Sequence, residues 1–321
     1  MNNHKNISNA IREEINKAHN ILLLSHKKPD GDTSGSNLAF HIYLKSIGKK
    51  VTSFCLDKLP DYLKFLPQNN LMTNDHLVFS KKYEVVIVLD SGSLEYAGVA
   101  NLLTSLINKY TLINIDHHAT NPLYGDINLV ITSASSTCEV VFRLLKDWQI
   151  EWNKSIATCL ACGIITDTGG FLNPATNYQS LLAASELVDN GANINKIVQI
   201  TLTQNNLLDL KIWGKAFQRL TKVPKYDLVY TFLTKEDYEE YGVSKTAADN
   251  LVNFLQLLKE ARIVLLLTEE KGMIKGSFRT TEKDLNVAQL AKLLGGGGHK
   301  KAAAFSFPGK LSIEDNKLRI K

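Results

Sequence analysis

Three short apolar runs in the first half of the chain each end on ionisable side chains, and this repeat leaves few folds open. Ile21-Leu22-Leu23-Leu24 leads to His26, Val85-Val86-Ile87-Val88-Leu89 to Asp90, and Leu112-Ile113-Asn114-Ile115 to Asp116-His117-His118. Nearly continuous apolar runs of this length fit strands buried on both faces. The segments between them have helical spacing, so the pattern predicts an α/β fold with a parallel sheet covered on both sides. In such sheets ligands gather beyond the carboxyl ends of the strands, which is where all three clusters fall. A carboxylate and two imidazoles at the end of a buried strand would be desolvated without compensation unless something positive collects them.

Two further segments supply matching groups. In His26-Lys27-Lys28-Pro29-Asp30-Gly31-Asp32, Pro29 and Gly31 force a loop, so His26, Asp30 and Asp32 are expected to converge from non-helical backbone ahead of a helix over 34–48. Asp167 stands where an apolar helix, expected over 153–165, gives way to Thr168-Gly169-Gly170-Phe171. A helix is also expected over 94–109. Ser136 and Glu139 have capping-box spacing for a helix reaching about Lys146. The Ser/Thr cluster at 132–137 reads as that cap in preference to a phosphate donor. Cys159-x-x-Cys162 lies within a helix without a second pair and reads as small core residues.

Residues 195–220 read as helical, Pro224 interrupts the pattern, and a new strand begins at Leu228. This places a first domain at 1–192, a linker helix at 193–222 and a smaller α/β domain at 223–321. The second domain is expected to hold strands over 228–233, 262–268 and 273–280, and helices over 247–258 and 287–294. It then reaches Gly295-Gly296-Gly297-Gly298-His299. These glycines read either as a flexible turn or as backbone amides open to a phosphate. Arg279 reads either as part of a solvated strand face or as a ligand contact.

Composition narrows the function classes. The net charge of +5 and pI of about 8.8 suit anionic substrates without establishing nucleic-acid binding. No apolar run approaches the ~20 residues of a membrane span, residues 1–17 lack a signal-peptide apolar segment, and the 4 cysteines show no disulfide framework. A cytoplasmic location and no membrane partner are expected. His26, Asp30, Asp32, Asp90, His117 and Asp167 make a donor set of oxygen and imidazole without thiolate, which favours Mn, Mg or Fe over structural zinc. Six donors exceed what one ion with open positions needs. Two divalent ions sharing a carboxylate account for the number and predict phosphoester hydrolysis through an activated water.

His26-x3-Asp30-x-Asp32, the Asp90 strand end, Asp116-His117-His118 and Gly163-x3-Asp167-Thr168-Gly169 resemble the four motifs of the DHH phosphoesterase family. The glycine run through His299 resembles the family's DHH-associated C-terminal domain. Together these cover nearly the whole chain, and its size is similar to the branch of nano-RNases (oligoribonucleases) that also act as pAp (adenosine 3′,5′-bisphosphate) phosphatases. The resemblance implies two divalent ions, manganese or alternatively magnesium. His26 and Asp30 would hold one, Asp32, His117 and Asp167 the other, with Asp90 bridging. Asp90, Asp116, His117 and His118 would form the catalytic group, His118 facing the scissile phosphate and Asp116 orienting a neighbouring imidazole. Gly296, Gly297, Gly298 and His299 would cradle a terminal phosphate, and Arg279 would pair with a phosphate or stack on a base. Implied substrates are short single-stranded oligonucleotides, dinucleotides or pAp, held in a cleft between the domains, and a homodimer is implied as well. Hydrolysis of cyclic or linear dinucleotides, and a nucleotide-binding sensor without catalysis, are the alternatives; the intact carboxylate set argues against the sensor. Ala304, Phe278 and Thr280 depart from the family's usual residues and bear on substrate preference.

Overall fold

The computed structural model describes residues 2–202, 207–248, 251–256, 258–298, 300–314 and 317–321. They fall into two compact units, Met1–Gln204 and Asn205–Lys321.

In the first unit, α1 (Asn2–Lys17) leads into β1 (Asn20–Ser25), α2 (Gly31–Ser46), β2 (Lys50–Phe54), β3 (Met72–Thr73) and β4 (Val85–Leu89). Then come α3 (Leu94–Ala97), α4 (Ala100–Leu103), β5 (Thr111–Asp116) and β6 (Ile127–Val130), followed by α5 (Thr137–Asp147), α6 (Lys154–Asp167), α7 (Tyr178–Asp189) and α8 (Ile194–Thr201). The strands form one sheet in the order β3-β2-β1-β4-β5-β6, with parallel pairing throughout. The direction of winding reverses between β1 and β4, which makes their carboxyl ends the topological switch point of the sheet.

The apolar runs are continuous because the sheet is covered on both faces. Leu22, Leu24, Val86 and Val88 pack with Phe54, Phe79, Val99 and Leu103 on one side. Ile21, Leu23, Val85, Ile87 and Leu89 join Ile11, Leu38, Val141 and Leu160 on the other. Helix α2 lies within that second layer and is buried along nearly its whole length, so it carries no polar stripe. All four cysteines are free and buried, Cys159 and Cys162 as small core residues of α6.

Three local expectations are corrected. Helix α2 begins at Gly31, so Asp32 sits in its first turn; the Asp30 carboxylate caps the helix by accepting from the Asp32 and Thr33 amides. The helix expected over 94–109 is the pair α3 and α4, because Gly98 takes a left-handed φ of 76° and ends α3. Residues 193–222, expected as one linker helix, carry α8, α9 (Leu207–Gln218) and β7 (Thr221–Val223). Each helix serves its own unit: α8 buries Ile197 in the first core, α9 buries Ile212, Trp213 and Ala216 in another.

The second unit continues with β8 (Leu228–Leu233), α10 (Lys235–Tyr241), α11 (Leu251–Leu255), β9 (Ile263–Glu270), β10 (Met273–Arg279), α12 (Val287–Leu293), β11 (Gly297–Gly298) and β12 (Ala302–Pro308). Its sheet runs β11-β12-β10-β9-β8-β7, with β8 and β9 parallel and the other pairings antiparallel. Residues of α9 and α11 cover one face and residues of α12 the other. Strands β13 (Leu311–Glu314) and β14 (Lys317–Ile320) form a separate hairpin. No helix among the described residues is long and apolar enough to cross a membrane.

Candidate active site

The register of the first sheet brings the ionisable groups to one level. Ser25 pairs with Leu89 across β1 and β4, and Leu89 with Ile115 across β4 and β5. The residues that follow, His26, Asp90 and Asp116, therefore leave the sheet side by side. The start of α2 supplies Asp30 and Asp32, and the end of α6 supplies Asp167. Packing is close enough there that a Cβ at Gly163 would stand 2.6 Å from Asp32 Oδ1 and 2.2 Å from Cys138 Sγ. Glycine is what lets α6 approach the carboxylate.

The donors gather into overlapping groups, His26–Asp30–Asp90, Asp32–His117–Asp167 and Asp90–Asp116–His117–His118, each with one donor atom per residue within 4.8 Å of the others. His26 Nε2 lies 3.4 Å from Asp90 Oδ2 and 3.9 Å from Asp30 Oδ2. His117 Nε2 lies 3.7 Å from Asp90 Oδ1 and 3.4 Å from Asp167 Oδ2. Asp90 thus turns one oxygen toward His26 and the other toward His117.

Neighbouring groups fix the rings. His26 Nδ1 is 2.7 Å from the Lys27 carbonyl oxygen, which can only accept, so that nitrogen carries a hydrogen. His118 Nδ1 is 2.7 Å from Asp116 Oδ1, while Asp116 Oδ2 accepts from the Asn121 side-chain amide at 2.7 Å. Hydrogen bonds of this kind orient a histidine whose second nitrogen is to bind something else.

The carboxylates meet no fixed cation of the protein. No lysine or arginine forms an ion pair with Asp30, Asp32, Asp90, Asp116 or Asp167 among the described residues; Asp30, Asp90, Asp116 and Asp167 face histidines, and Asp32 accepts from the Thr137 and Cys138 amides. Burial, and then the charge of Asp90, push the carboxyls of Asp32 and Asp167 well above the usual carboxylate range. Burial also opposes ionisation of Asp90, but the His26 contact and the nearby rings of His117 and His118 hold it below that range. At His26 and His118 burial disfavours the charged ring, yet Asp90 and Asp116 respectively raise the pKa to about 9.

A cation resolves this arrangement. With hydrogen on Nδ1, His26 keeps Nε2 turned toward Asp90, and a cation that displaces its proton would find a lone pair and a carboxylate oxygen side by side. Separations of 3.4–3.9 Å are long for hydrogen bonds. They approach the spacing of ligand atoms that share an ion at about 2.0–2.2 Å each. The donor chemistry, oxygen and imidazole without thiolate, suits hard divalent ions. The residues present therefore fit divalent cations.

One member of the site is only faintly marked in the sequence pattern. Ser136 caps α5 as expected, its hydroxyl accepting from the Glu139 amide, although Glu139 reaches back to the Ser135 amide. Thr137, however, donates its hydroxyl to Asp90 Oδ1 at 2.9 Å and its amide to Asp32 Oδ2 at 2.6 Å. The Cys138 amide donates to Asp32 Oδ1 at 2.8 Å. Reading the cluster as a cap accounts for Ser136 and misses Thr137. The one available hint was its place in the first turn of a helix following a strand of this sheet.

The remaining candidates lie in the second unit. The Arg279 guanidinium bonds only neutral oxygens among the described residues, Asn253 Oδ1 and the Phe278 carbonyl. The Gly295 and Gly296 amides donate to the Lys292 and Ala291 carbonyls and close α12, so these two are not open to a phosphate as the amide cradle requires. Gly296 is needed for a different reason: a Cβ there would stand 2.1 Å from the Ala304 carbonyl oxygen. Gly297 and Gly298 pair with Ala304 and Ala303 as β11. His299 lies outside the described residues.

The DHH family, N-terminal domain, matches residues 20–164, and the DHHA1 domain matches residues 225–319. The chain is 26% identical to the protein named bifunctional oligoribonuclease and PAP phosphatase NrnA from Thermus thermophilus, across 90% of this chain and 84% of that protein. It is 28% identical to the protein of the same name from Bacillus subtilis, across 89% of this chain and 88% of that one. A solved structure of an exopolyphosphatase-related protein from Bacteroides fragilis superposes with a TM-score of 0.84 at 26% identity, covering 94% of this chain and 91% of that chain.

Proposed function

The chain belongs to the DHH family, and from that premise we propose that this phosphoester hydrolase cleaves short oligonucleotides to mononucleotides and pAp to AMP. The observation that carries the reading is Asp90, whose two oxygens face the two halves of the donor cluster. His26, Asp30 and Asp90 would hold one divalent cation, and Asp32, His117 and Asp167 a second, with Asp90 serving both. Manganese or magnesium held there would lower the pKa of an attacking water toward neutrality and offset charge on the phosphoryl oxygens.

The chain's own residues position the reacting parts. Asp116 fixes the ring of His118 through Nδ1, and this ring is placed to meet a phosphoryl oxygen of the substrate in the proposed reaction. Thr137 holds Asp90 and Asp32 in place at once. In the DHHA1 unit, Arg279 has no carboxylate partner among the described residues, so its charge is available to a second phosphate or to a base face. Gly297, Gly298 and His299 would add contacts to the group that Arg279 takes. The near full-length match to proteins named for both activities supports carrying both to this chain.

The test is direct. Purified protein with Mn2+ is given pAp, a linear dinucleotide and a long single strand. AMP from the first and mononucleotides from the second are expected, with the long strand cut far more slowly. No product from either small substrate, or equal rates on the long strand, would overturn the reading.

A further inference from the structure

A cavity of about 490 Å3 opens beyond the carboxyl ends of β2 and β3. Strand β2 lies next to β1, so the cavity is on the sheet edge from which His26, Asp90 and Asp116 emerge. At about 4.8 Å between strands, β2 and β3 are one and two strand widths from the strand that carries His26. Two bonds tie the cavity wall to the His26 loop. The Cys55 thiol donates to the His26 carbonyl oxygen at 3.2 Å, and Asp57 Oδ2 accepts from the Lys28 amide at 2.8 Å.

The lining divides by chemistry. Leu59, Pro60 and Met72 make an apolar wall. Lys64 at the rim is neutralised by Asp61 at 2.6 Å. Lys58 and Asn74 also line the cavity, and neither side chain has a hydrogen bond or ion pair among the described residues. A pocket of this volume, with an apolar wall and a few uncommitted polar ends, suits a nucleotide-sized ligand. An apolar surface takes the face of a heterocycle, a side-chain amide can read its edge, and an ammonium takes a phosphate.

We propose that this cavity is the subsite for the second nucleoside of a short oligonucleotide. The base packs on Leu59, Pro60 and Met72, Asn74 meets its edge, and Lys58 takes the phosphate that links this nucleoside to the next in a longer substrate. The assignment rests on the hydrolase reading above and adds to it a place for the part of the substrate that pAp lacks.

Two measurements test it. The chain has three methionines, Met1, Met72 and Met273, so methyl-13C methionine labelling places one signal in the cavity, assigned with Met72→Leu. Full-length protein in Mg2+ is titrated with a phosphorothioate-linked diadenosine dinucleotide, which resists hydrolysis. The Met72 signal is expected to shift at saturation; an unmoved Met72 signal overturns the proposal. Asn74→Ala should lower the ratio of dinucleotide to pAp kcat/KM about tenfold, and Lys58→Ala the ratio of trinucleotide to dinucleotide kcat/KM by as much. An unchanged ratio overturns the proposal. Should the wild-type protein turn over neither substrate, the hydrolase reading fails while the Met72 shift still decides the cavity.

Discussion

Asp90 carries an unusual backbone as well as two sets of partners. Its φ of +60° lies in the left-handed region, which aspartate tolerates better than most non-glycine residues. Strain of this kind persists where surrounding structure over-determines it; the hydroxyl of Thr137 and the rings of His26 and His117 do so here. Asp90→Asn keeps the shape and removes the charge. It should leave the fold intact, weaken Mn2+ binding by calorimetry, and lower kcat by more than the ~10–100-fold typical of a residue that only supports a metal ligand. Thr137→Val should fall within that ~10–100-fold range in metal affinity, and Thr137→Ser should restore it. A valine variant with wild-type affinity would remove Thr137 from the site.

Among the elements, the packing of α2, α5 and α6 decides whether the carboxylates meet. Gly163 is the tightest point, with no room for a methyl group beside Asp32 and Cys138. Gly163→Ala should therefore destabilise the fold by about 1–3 kcal/mol, read as a lower denaturation midpoint, and displace Asp32 with a loss of metal affinity. Another contact, from α2 to β2, makes stability depend on pH. His41 is buried and pairs through Nδ1 with the Ser53 hydroxyl at 2.7 Å; burial, then the charge of Lys45, lower its pKa to about 4. The unfolded chain takes up this proton near pH ~6.5. Between about pH 6.5 and pH 4 the unfolded state thus binds more protons, and stability should fall as the pH drops, by up to about 3 kcal/mol. Urea midpoints measured across that window should show the loss in the wild-type protein and a smaller one in His41→Gln.

For the whole molecule, a site that collects carboxylates without lysine or arginine makes the native state respond to cations. A divalent ion that binds only the folded chain at about 100 times its Kd adds about 2.7 kcal/mol. Thermal unfolding in excess Mn2+ should occur at higher temperature than in a chelator, and Asp90→Asn should abolish most of the difference. An equal midpoint in both conditions would argue against metal binding at this cluster.

The parallel sheet and the side chains gathered at its end could be read from the chain, because strands buried on both faces leave unbroken apolar runs. A polar group directly after such a run has one place to go. In the second unit, β8, β9, β10 and α12 were legible for similar reasons of local pattern, whereas the short α10 was not. Where α8 ends and α9 begins was not, since helical spacing continues across 195–220 while the two helices pack in different cores. The use of the Gly295 and Gly296 amides by α12 was equally hidden, because glycine's lack of a side chain leaves a hydrogen-bonding role unmarked. Thr137 is the sharpest case. It reaches Asp90 across 47 positions, and that contact depends on how α5 packs against α2 and α6. Periodicity along a chain records which face of an element is buried; which hydroxyl meets which carboxylate depends on the distances between packed elements.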